Sequence, residues 1–285
     1  MATIFRYSLR RFLGQILGWG IAFGLIALYL MVLYKPMITQ QAELKTLFDA
    51  YGETMMAFFG GTTDFLSPAG YLDFTFFSYI PIVAGIFAVV LGSGLLVADE
   101  EKGTLDLIMA HPISRAALFW GRTLAFCAAT LAILALTWLG FAAGIPAAAW
   151  DVSAASLLLP HLSLFVVLVL FGAFALLLSM VLPSRAVAAS AAGGLMVVNY
   201  LVTSLARVNE RLEGLNNLLP LKYYQGGRAL EALDWQALLV LLGVAALLMV
   251  LAWWRFERRD IRVSGEGSWA LPFIRRTARR RAQRA

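Results

Sequence analysis

Charged residues and cysteine are both scarce in this sequence of 285 residues. Charged side chains make up 14% of it and hydrophobic side chains 61%, whereas a soluble domain contains about 25% charged residues. A soluble protein this apolar could not cover its surface with polar groups, but a lipid bilayer requires no such cover. The single cysteine, Cys127, excludes an intramolecular disulfide. The composition therefore excludes an ordinary soluble domain and indicates a membrane protein.

The sequence also lacks the motifs of common enzymes and of transporters that power themselves. It contains no Gly-x-x-x-x-Gly-Lys-Ser/Thr loop, so ATP hydrolysis at such a loop is excluded. The two histidines, His111 and His161, are far apart, and neither a Gly-x-Ser-x-Gly nor a His-Glu-x-x-His motif is present. We therefore predict that the chain is not an enzyme and that it has no catalytic residue, no metal site and no bound cofactor.

Six runs of about twenty residues contain few charges and are long enough to cross a hydrocarbon core of about 30 Å. The predicted fold class is therefore an all-α polytopic membrane protein with six transmembrane helices. No predicted span contains Asp or Glu, which disfavours coupling to protons or sodium ions, because such carriers place ionisable groups inside the bundle. The predicted spans are 13–34, 74–98, 123–145, 157–182, 186–206 and 235–254.

The distribution of lysine and arginine predicts that both termini are cytoplasmic. In that orientation the cytoplasmic segments contain seventeen basic residues and the external segments contain six, and cytoplasmic loops are enriched in basic residues. Ten of the seventeen lie in residues 255–285, which we interpret as a basic cytoplasmic tail. We expect a multi-pass protein of the cell membrane, either a plasma membrane or a bacterial inner membrane.

Several segments outside the spans are predicted to lie at the membrane surfaces. Residues 1–12 place Phe5 and Phe12 at helical spacing beside arginines, which fits an amphipathic interfacial helix or a basic flank of the first span equally well. Residues 35–73 and 207–234 are external and contain leucines at helical spacing, which favours helical segments over open loops. In the tail, a basic cluster is predicted to bind anionic lipid headgroups rather than nucleic acid, with a solvated tail as the alternative. That cluster comprises Arg275, Arg276, Arg279, Arg280 and Arg281.

Asn199 is a polar residue inside the fifth predicted span. It could line a solute pathway, or it could form a hydrogen bond between helices. The second interpretation is favoured, because polar side chains in transmembrane helices commonly make interhelical hydrogen bonds.

The loop between the second and third spans carries the most informative pattern. Leu105, Ile108 and Met109 share one face of a short helix, and charged residues flank it. Pro112 ends this helix, and Ser114 is placed to cap the next one. An apolar ridge outside the bilayer either docks a cytosolic protein or packs back against the bundle, and the pattern leaves both possibilities open.

The stretch ADEEKGTLDLIMAHPISRAALFWGRTLA resembles the signature of the type-2 permease family of ATP-binding-cassette (ABC) exporters. LSPAGYLDFTFFS before it and LLPLKYYQGGRAL before the sixth span are also similar to that family. The resemblance implies a coupling helix at about 99–111 that rests on a separate ATP-hydrolysing subunit. The coupling residues that the resemblance implies are Glu100, Glu101, Lys102, Gly103, Thr104, Leu105, Leu107 and Arg115. To these we add Ile108 and Met109, which lie on the apolar face of the short helix.

The same resemblance implies how such a chain would work. Residues 13–254 would be the permease domain of an ABC transporter subunit, and the resemblance implies that the direction of transport is export. A second copy of the permease would complete the substrate pathway, and two cytosolic ATPase subunits would use ATP and Mg²⁺ to drive it. The alternative is a membrane scaffold or assembly factor that transports nothing and recruits a different cytosolic partner. The transported solute does not follow from the sequence.

Overall fold

The described part of the chain is a bundle of helices. The computed structural model describes residues 1–40, 46 and 67–259, and no strand occurs among them. Five helices are long and apolar enough to cross a membrane, and one bent pair of helices makes a sixth candidate span. The predicted all-α polytopic fold is therefore confirmed. The helices are α1 (Ala2–Thr39), α2 (Pro68–Leu72), α3 (Ile80–Gly94), α4 (Val97–Glu101), α5 (Leu105–Met109), α6 (Arg115–Ala148), α7 (Leu158–Val181), α8 (Arg185–Ala206), α9 (Glu213–Asn216) and α10 (Trp235–Arg258).

The second span is a broken helix, whereas the sequence predicted one segment over 74–98. Helix α2 continues into a π-helical turn, Asp73–Phe77, and α3 is bent by 44° relative to this first piece. Pro81 lies in the first turn of α3, where it has no N–H with which to continue the hydrogen bonds of the preceding helix. Helix α3 then ends at Gly94, four residues before the predicted end of the span.

The first helix is longer than a membrane span requires. Helix α1 contains 38 residues, which corresponds to about 57 Å, whereas the hydrocarbon core is about 30 Å thick. Its backbone is helical without interruption from Ala2 to Thr39. The sequence left an interfacial helix over residues 1–12 and a basic flank of the first span as equal alternatives, and in the structure these turns continue directly into the first span.

Glycines allow α1 and α6 to cross in close contact. Gly20 and Gly24 of α1, and Gly140 and Gly144 of α6, each form a Gly-x-x-x-Gly motif, a pattern that lets transmembrane backbones approach one another. A Cβ atom on Gly140 would lie 2.0 Å from the carbonyl oxygen of Gly24. Lipid tails are as apolar as leucine, so this pair is stabilised by close van der Waals packing rather than by removal of apolar surface from water.

Helix α7 forms the centre of the bundle. It packs against α3, α6, α8 and α10. In its most apolar stretch of 18 residues, 72% of the residues are buried. At the contact with α3, a Cβ atom on Gly92 would lie 2.3 Å from the carbonyl oxygen of Gly172. The centre of the molecule is therefore a close contact between helices.

The outer face of α10 has the pattern of a lipid-exposed surface. Trp235 and Trp254 stand at its two ends and are 56% and 50% exposed. Tryptophan is enriched at both membrane interfaces, and nineteen helical residues span about 28 Å, close to the thickness of the hydrocarbon core. The two tryptophans are therefore placed as expected for residues at the two membrane interfaces.

The two ends of the bundle differ in composition. We call the end that contains Arg11, Asp99, Arg122, Arg185 and Arg259 the basal end, because hydrogen bonds and ion pairs join these residues or their neighbours there. The opposite, apical end contains Asp73 and residues 207–234, which form short α-helical and 3-10 segments. The surface helix predicted within 35–73 and the lipid-binding arginines predicted in the tail lie outside the described residues.

Candidate coupling site

Asp99 is the centre of a buried ion-pair cluster at the basal end. It is the third residue of α4, and it is 4% exposed. Arg11 Nη1 donates to its carboxylate over 2.9 Å, and Arg122 Nη2 lies 2.6 Å from the other oxygen. Arg122 Nη1 also donates to the carbonyl oxygen of Leu95 over 2.6 Å. The cluster therefore connects α4 with α1 and with the first turns of α6.

The next two carboxylates connect α4 with further helices. Glu100 is 4% exposed and forms an ion pair with Arg259, which follows the last turn of α10. Arg259 also donates to the carbonyl oxygens of Ser179 and Met180 at the end of α7. Glu101 Oε1 accepts a hydrogen bond of 2.8 Å from the backbone N–H of Arg185, the first residue of α8. Three consecutive acidic residues thus connect one short helix with the basal ends of five long ones.

A tight turn joins α4 to the predicted coupling helix. Gly103 has a φ of +67°, a left-handed conformation that glycine adopts without steric cost. The backbone N–H and the hydroxyl of Thr104 both donate to the carbonyl oxygen of Asp99, over 2.9 Å and 3.1 Å. The turn therefore fixes the direction in which α5 leaves the ion-pair cluster.

Helix α5 packs one face against the bundle and exposes the other. Leu105 is 1% exposed, and Ile108 and Met109 are partly buried against the hydrophobic core. Leu107, in contrast, is 68% exposed. The sequence grouped Leu105, Ile108 and Met109 into one ridge and left its direction open, and the structure turns that ridge inward. The apolar residue that points outward is Leu107.

The segment after α5 is also held in a defined position. His111 Nδ1 is 3.1 Å from the carbonyl oxygen of Leu107, and Pro112 follows outside any helix. Ser114 caps α6 by accepting a hydrogen bond from the N–H of Ala117 over 3.1 Å, as the sequence predicted. Arg115 Nη1 donates to the carbonyl oxygen of Phe256 over 3.0 Å, so it holds the end of α10.

The predicted site residues therefore fall into two groups. One group is directed into the bundle and holds the site together. The other group is exposed and is the part of the site that another protein could contact. The inward group comprises Glu100, Leu105, Ile108, Met109 and Arg115, and the exposed group comprises Glu101, Lys102, Thr104 and Leu107, with Gly103 in the turn between them.

Sequence reasoning missed the four arginines that bind the acidic run. Arg11, Arg122, Arg185 and Arg259 entered the sequence analysis only as charges that indicate orientation. A signal was present, because carboxylates at a membrane edge are costly to bury without a cationic partner. The pairs could not be assigned from sequence, since the partners are separated by 88 residues for Arg11 and by 159 for Arg259.

A second polar cluster, at the apical end, was also missed. The sequence placed Asp73 in an external segment, but it is 5% exposed and accepts a hydrogen bond of 2.8 Å from the N–H of Gly227. Arg207 and Arg228 line the same small cavity of about 20 Å³. Tyr224 also lines it, and burial raises the pKa of its phenol well above the usual value. The cluster fastens the broken second span to residues 226–230.

Asn199 contributes to the same apical region. It is 1% exposed, and its Oδ1 accepts a hydrogen bond of 3.3 Å from the backbone N–H of Leu221. Thr203, one turn further along α8, donates to Asn216 Oδ1 over 2.9 Å. In the structure, then, Asn199 makes a packing hydrogen bond between α8 and the apical segment.

The comparison with known proteins agrees with this architecture. Residues 16–261 match the family described as ABC-2 family transporter protein. No curated protein matches the sequence. The matched range includes α4, α5, Arg122, Arg185 and Arg259, and it begins after Arg11. Since the match covers most of the chain and the structure supplies five or six candidate spans, this multi-pass membrane protein belongs to the ABC-2 family and is a permease component of an ABC transporter.

Proposed function

We propose that the chain is the permease subunit of an ABC exporter, and that the exposed side of α5 is the surface on which a separate cytosolic ATPase subunit acts. One observation carries this proposal. A short helix with an exposed leucine projects at the basal end, and its base is connected by ion pairs and hydrogen bonds to the ends of five long helices. Export as the direction of transport comes from the family resemblance.

The proposed orientation places the basal end in the cytoplasm. Helices α1, α6 and α8 begin at that end, and α3, α7 and α10 finish there, so both ends of the described chain lie on one side. The excess of basic residues in the segments on that side supports a cytoplasmic position. An ATPase that uses cytosolic ATP and Mg²⁺ would then meet α5 directly.

The contacts at the basal end provide a route for force. A push on α5 would reach α4 through the turn at Gly103, because Thr104 is bonded back to Asp99. From α4 the displacement would pass to α1 and α6 through Asp99 and to α7 and α10 through Glu100. Buried ion pairs transmit such a displacement because separating them leaves uncompensated charges.

The proposed assembly contains two permease copies and two ATPase subunits. In the most apolar stretch of 18 residues in α8, only 22% of the residues are buried within the chain. Gly193 and Gly194 lie on this helix with open space where a side chain would be, and small residues permit close helix packing in membranes. The surface of α8 therefore favours a second copy of the chain as neighbour.

A charge at Leu107 tests the ATPase contact. Leu107→Glu should abolish co-purification of the ATPase subunit and leave membrane insertion intact, because the side chain is 68% exposed. Leu218→Glu is the matched control, since Leu218 is 80% exposed at the apical end. Leu105 is unsuitable for this purpose, because a charge at a buried position would disturb the bundle itself.

The outcome separates the proposed function from its alternative. Loss of the ATPase with Leu107→Glu but not with Leu218→Glu, together with ATP-driven transport by the reconstituted pair, supports a permease. Retention of the ATPase by Leu107→Glu contradicts the proposed contact. Capture of a partner that hydrolyses no ATP would instead favour a scaffold.

A further inference from the structure

A cavity of about 150 Å³ lies beside the ion-pair cluster, between the first turns of α1 and the basal end of α3. Its walls contain three guanidinium groups, those of Arg11, Arg122 and Arg185, together with Tyr7 and Gln15. About 10–15 Å³ of such a volume is enough for one water molecule, so this cavity has room for several waters or for one phosphate group.

The cavity carries an excess of positive charge. Asp99 pairs with two of the guanidinium groups, Arg11 and Arg122, while Arg185 Nη2 donates to the carbonyl oxygen of Val90 over 3.2 Å. A guanidinium has five N–H donors arranged in a fork that matches phosphate oxygens. Within the part of the chain that the structure describes, the side-chain hydrogen bonds of Arg11 use only Nη1 and that of Arg185 uses only Nη2. The site is therefore built for an anion with several oxygen acceptors.

An exposed apolar strip of α3 leads away from the cavity along the length of the helix, toward the middle of the membrane-spanning region; we call it the apolar track. Val90, Ile86 and Val83 follow one face of α3, and they are 40%, 51% and 39% exposed. On α1, Gly14 and Gly18 leave open space where side chains would otherwise stand. The track extends about 10 Å from Val90 to Val83. A basic cavity thus continues into an exposed apolar surface within the membrane-spanning part of the chain.

We propose that this cavity binds the headgroup phosphate of an anionic phospholipid, with the acyl chains lying along the face of α3. A soluble phosphate would use the arginines but would gain nothing from the apolar track, whereas a phospholipid uses both. The predicted first span begins at residue 13, so the cavity, which includes Tyr7 and Gln15, lies at the edge of the hydrocarbon region. The site is separate from the exposed side of α5, and it does not depend on the ATPase contact.

Native mass spectrometry of the full chain in detergent, titrated with dioleoylphosphatidylglycerol, tests the proposal. One lipid should bind more tightly than dioleoylphosphatidylcholine does. The double variant Arg11→Gln/Arg185→Gln should bind phosphatidylglycerol about thirty-fold more weakly, because each basic residue near a membrane surface contributes about 1 kcal/mol toward an anionic lipid. Arg10→Gln is the control for charge on α1: it removes one positive charge at a residue that does not line the cavity, and it should bind as the natural chain does.

A second variant keeps the test independent of folding. Because Arg11 also pairs with Asp99, the double variant could lose stability; Gln15→Trp fills the cavity without removing a charge, and it should weaken lipid binding equally. Equal binding of both lipids, displacement of phosphatidylglycerol by inorganic phosphate at equal concentration, or full binding by Gln15→Trp would each overturn the proposal.

Discussion

Asp99 shows how much depends on one carboxylate at the basal end. Its partner Arg122 has a side chain that is only 6% exposed, so water cannot replace the carboxylate if it is lost. Leaving one charge of a buried pair without its partner costs about 3–5 kcal/mol, whereas replacing both charges with apolar groups is often nearly neutral. The stability of the basal end therefore depends on the pairing of these charges and not on their presence alone.

We expect Asp99→Asn to lower the stability of the purified chain by about 3 kcal/mol, because Arg122 would stay buried beside a neutral amide. Thermal unfolding in detergent measures the effect. Asp106→Asn, at an exposed position of α5, should leave the melting temperature unchanged. Adding Arg122→Met to Asp99→Asn should recover much of the loss. Equal melting temperatures for Asp99→Asn and the natural chain would show that the pair contributes little.

For individual residues, the sequence predicted which side chains share a helical face better than it predicted where that face points. The helical spacing correctly grouped Leu105, Ile108 and Met109 on one face. Their direction depended on the core of the bundle, which the local pattern does not contain. Leu107 was identified as a site residue only through the family resemblance. Its neighbours in sequence are no more polar than those of Leu105, so the local sequence does not show that Leu107 is the exposed one of the two.

Among the helices, the crossing of α1 and α6 has the least tolerance for added volume. We expect Gly140→Ala to separate these helices and to lower the melting temperature, because the new Cβ atom would lie 2.0 Å from the backbone oxygen of Gly24. Overpacking of this kind costs about 1–3 kcal/mol. Gly243→Ala on α10 is the matched control, since nothing lies within 4 Å of the added atom. If Gly140→Ala and Gly243→Ala have the same melting temperature, the crossing of α1 and α6 is looser than described.

The helices themselves were largely predictable from the sequence, for a physical reason. A span must be about twenty apolar residues long because every backbone group needs an internal hydrogen bond in lipid. That rule located α7, α8 and α10 to within four residues at each end, and it located the interior of α6, which begins eight residues before the predicted span. It could not locate the break before α3, because the residues on both sides of Pro81 are mostly apolar and Asp73 is the one charged residue of the π-helical turn.

For the whole molecule, the proposed orientation makes a direct prediction. In a chain carrying Cys127→Ala, a cysteine placed at Leu107 should react with a membrane-impermeant maleimide only when the cytoplasmic face is accessible. A cysteine at Leu218 should react only from the outside, because it lies at the apical end. Both positions are well exposed, so accessibility within the protein does not limit either reaction. Labelling of Leu107→Cys in intact cells would show that the orientation is the reverse of the proposed one.

The long-range contacts of the whole molecule were beyond sequence reasoning. Arg11, Arg185 and Arg259 come from three distant parts of the chain, and only the folded bundle brings them to one short helix. The Asp73 cluster depends in the same way on Gly227, which follows it by 154 residues. A single sequence gives the charge of such residues but not which partner each will meet.

The consecutive order of Asp99, Glu100 and Glu101 makes the coupling segment difficult to transplant. Successive residues of an α-helix point about 100° apart, so each carboxylate reaches its own partners only in the present register. Inserting a single alanine before Asp99 would rotate all three away from their partners at once. A chimaera that borrows this loop from another permease would therefore need to import the arginines matched to Asp99 and Glu100, which in this chain are Arg11, Arg122 and Arg259, from three other places in the donor chain.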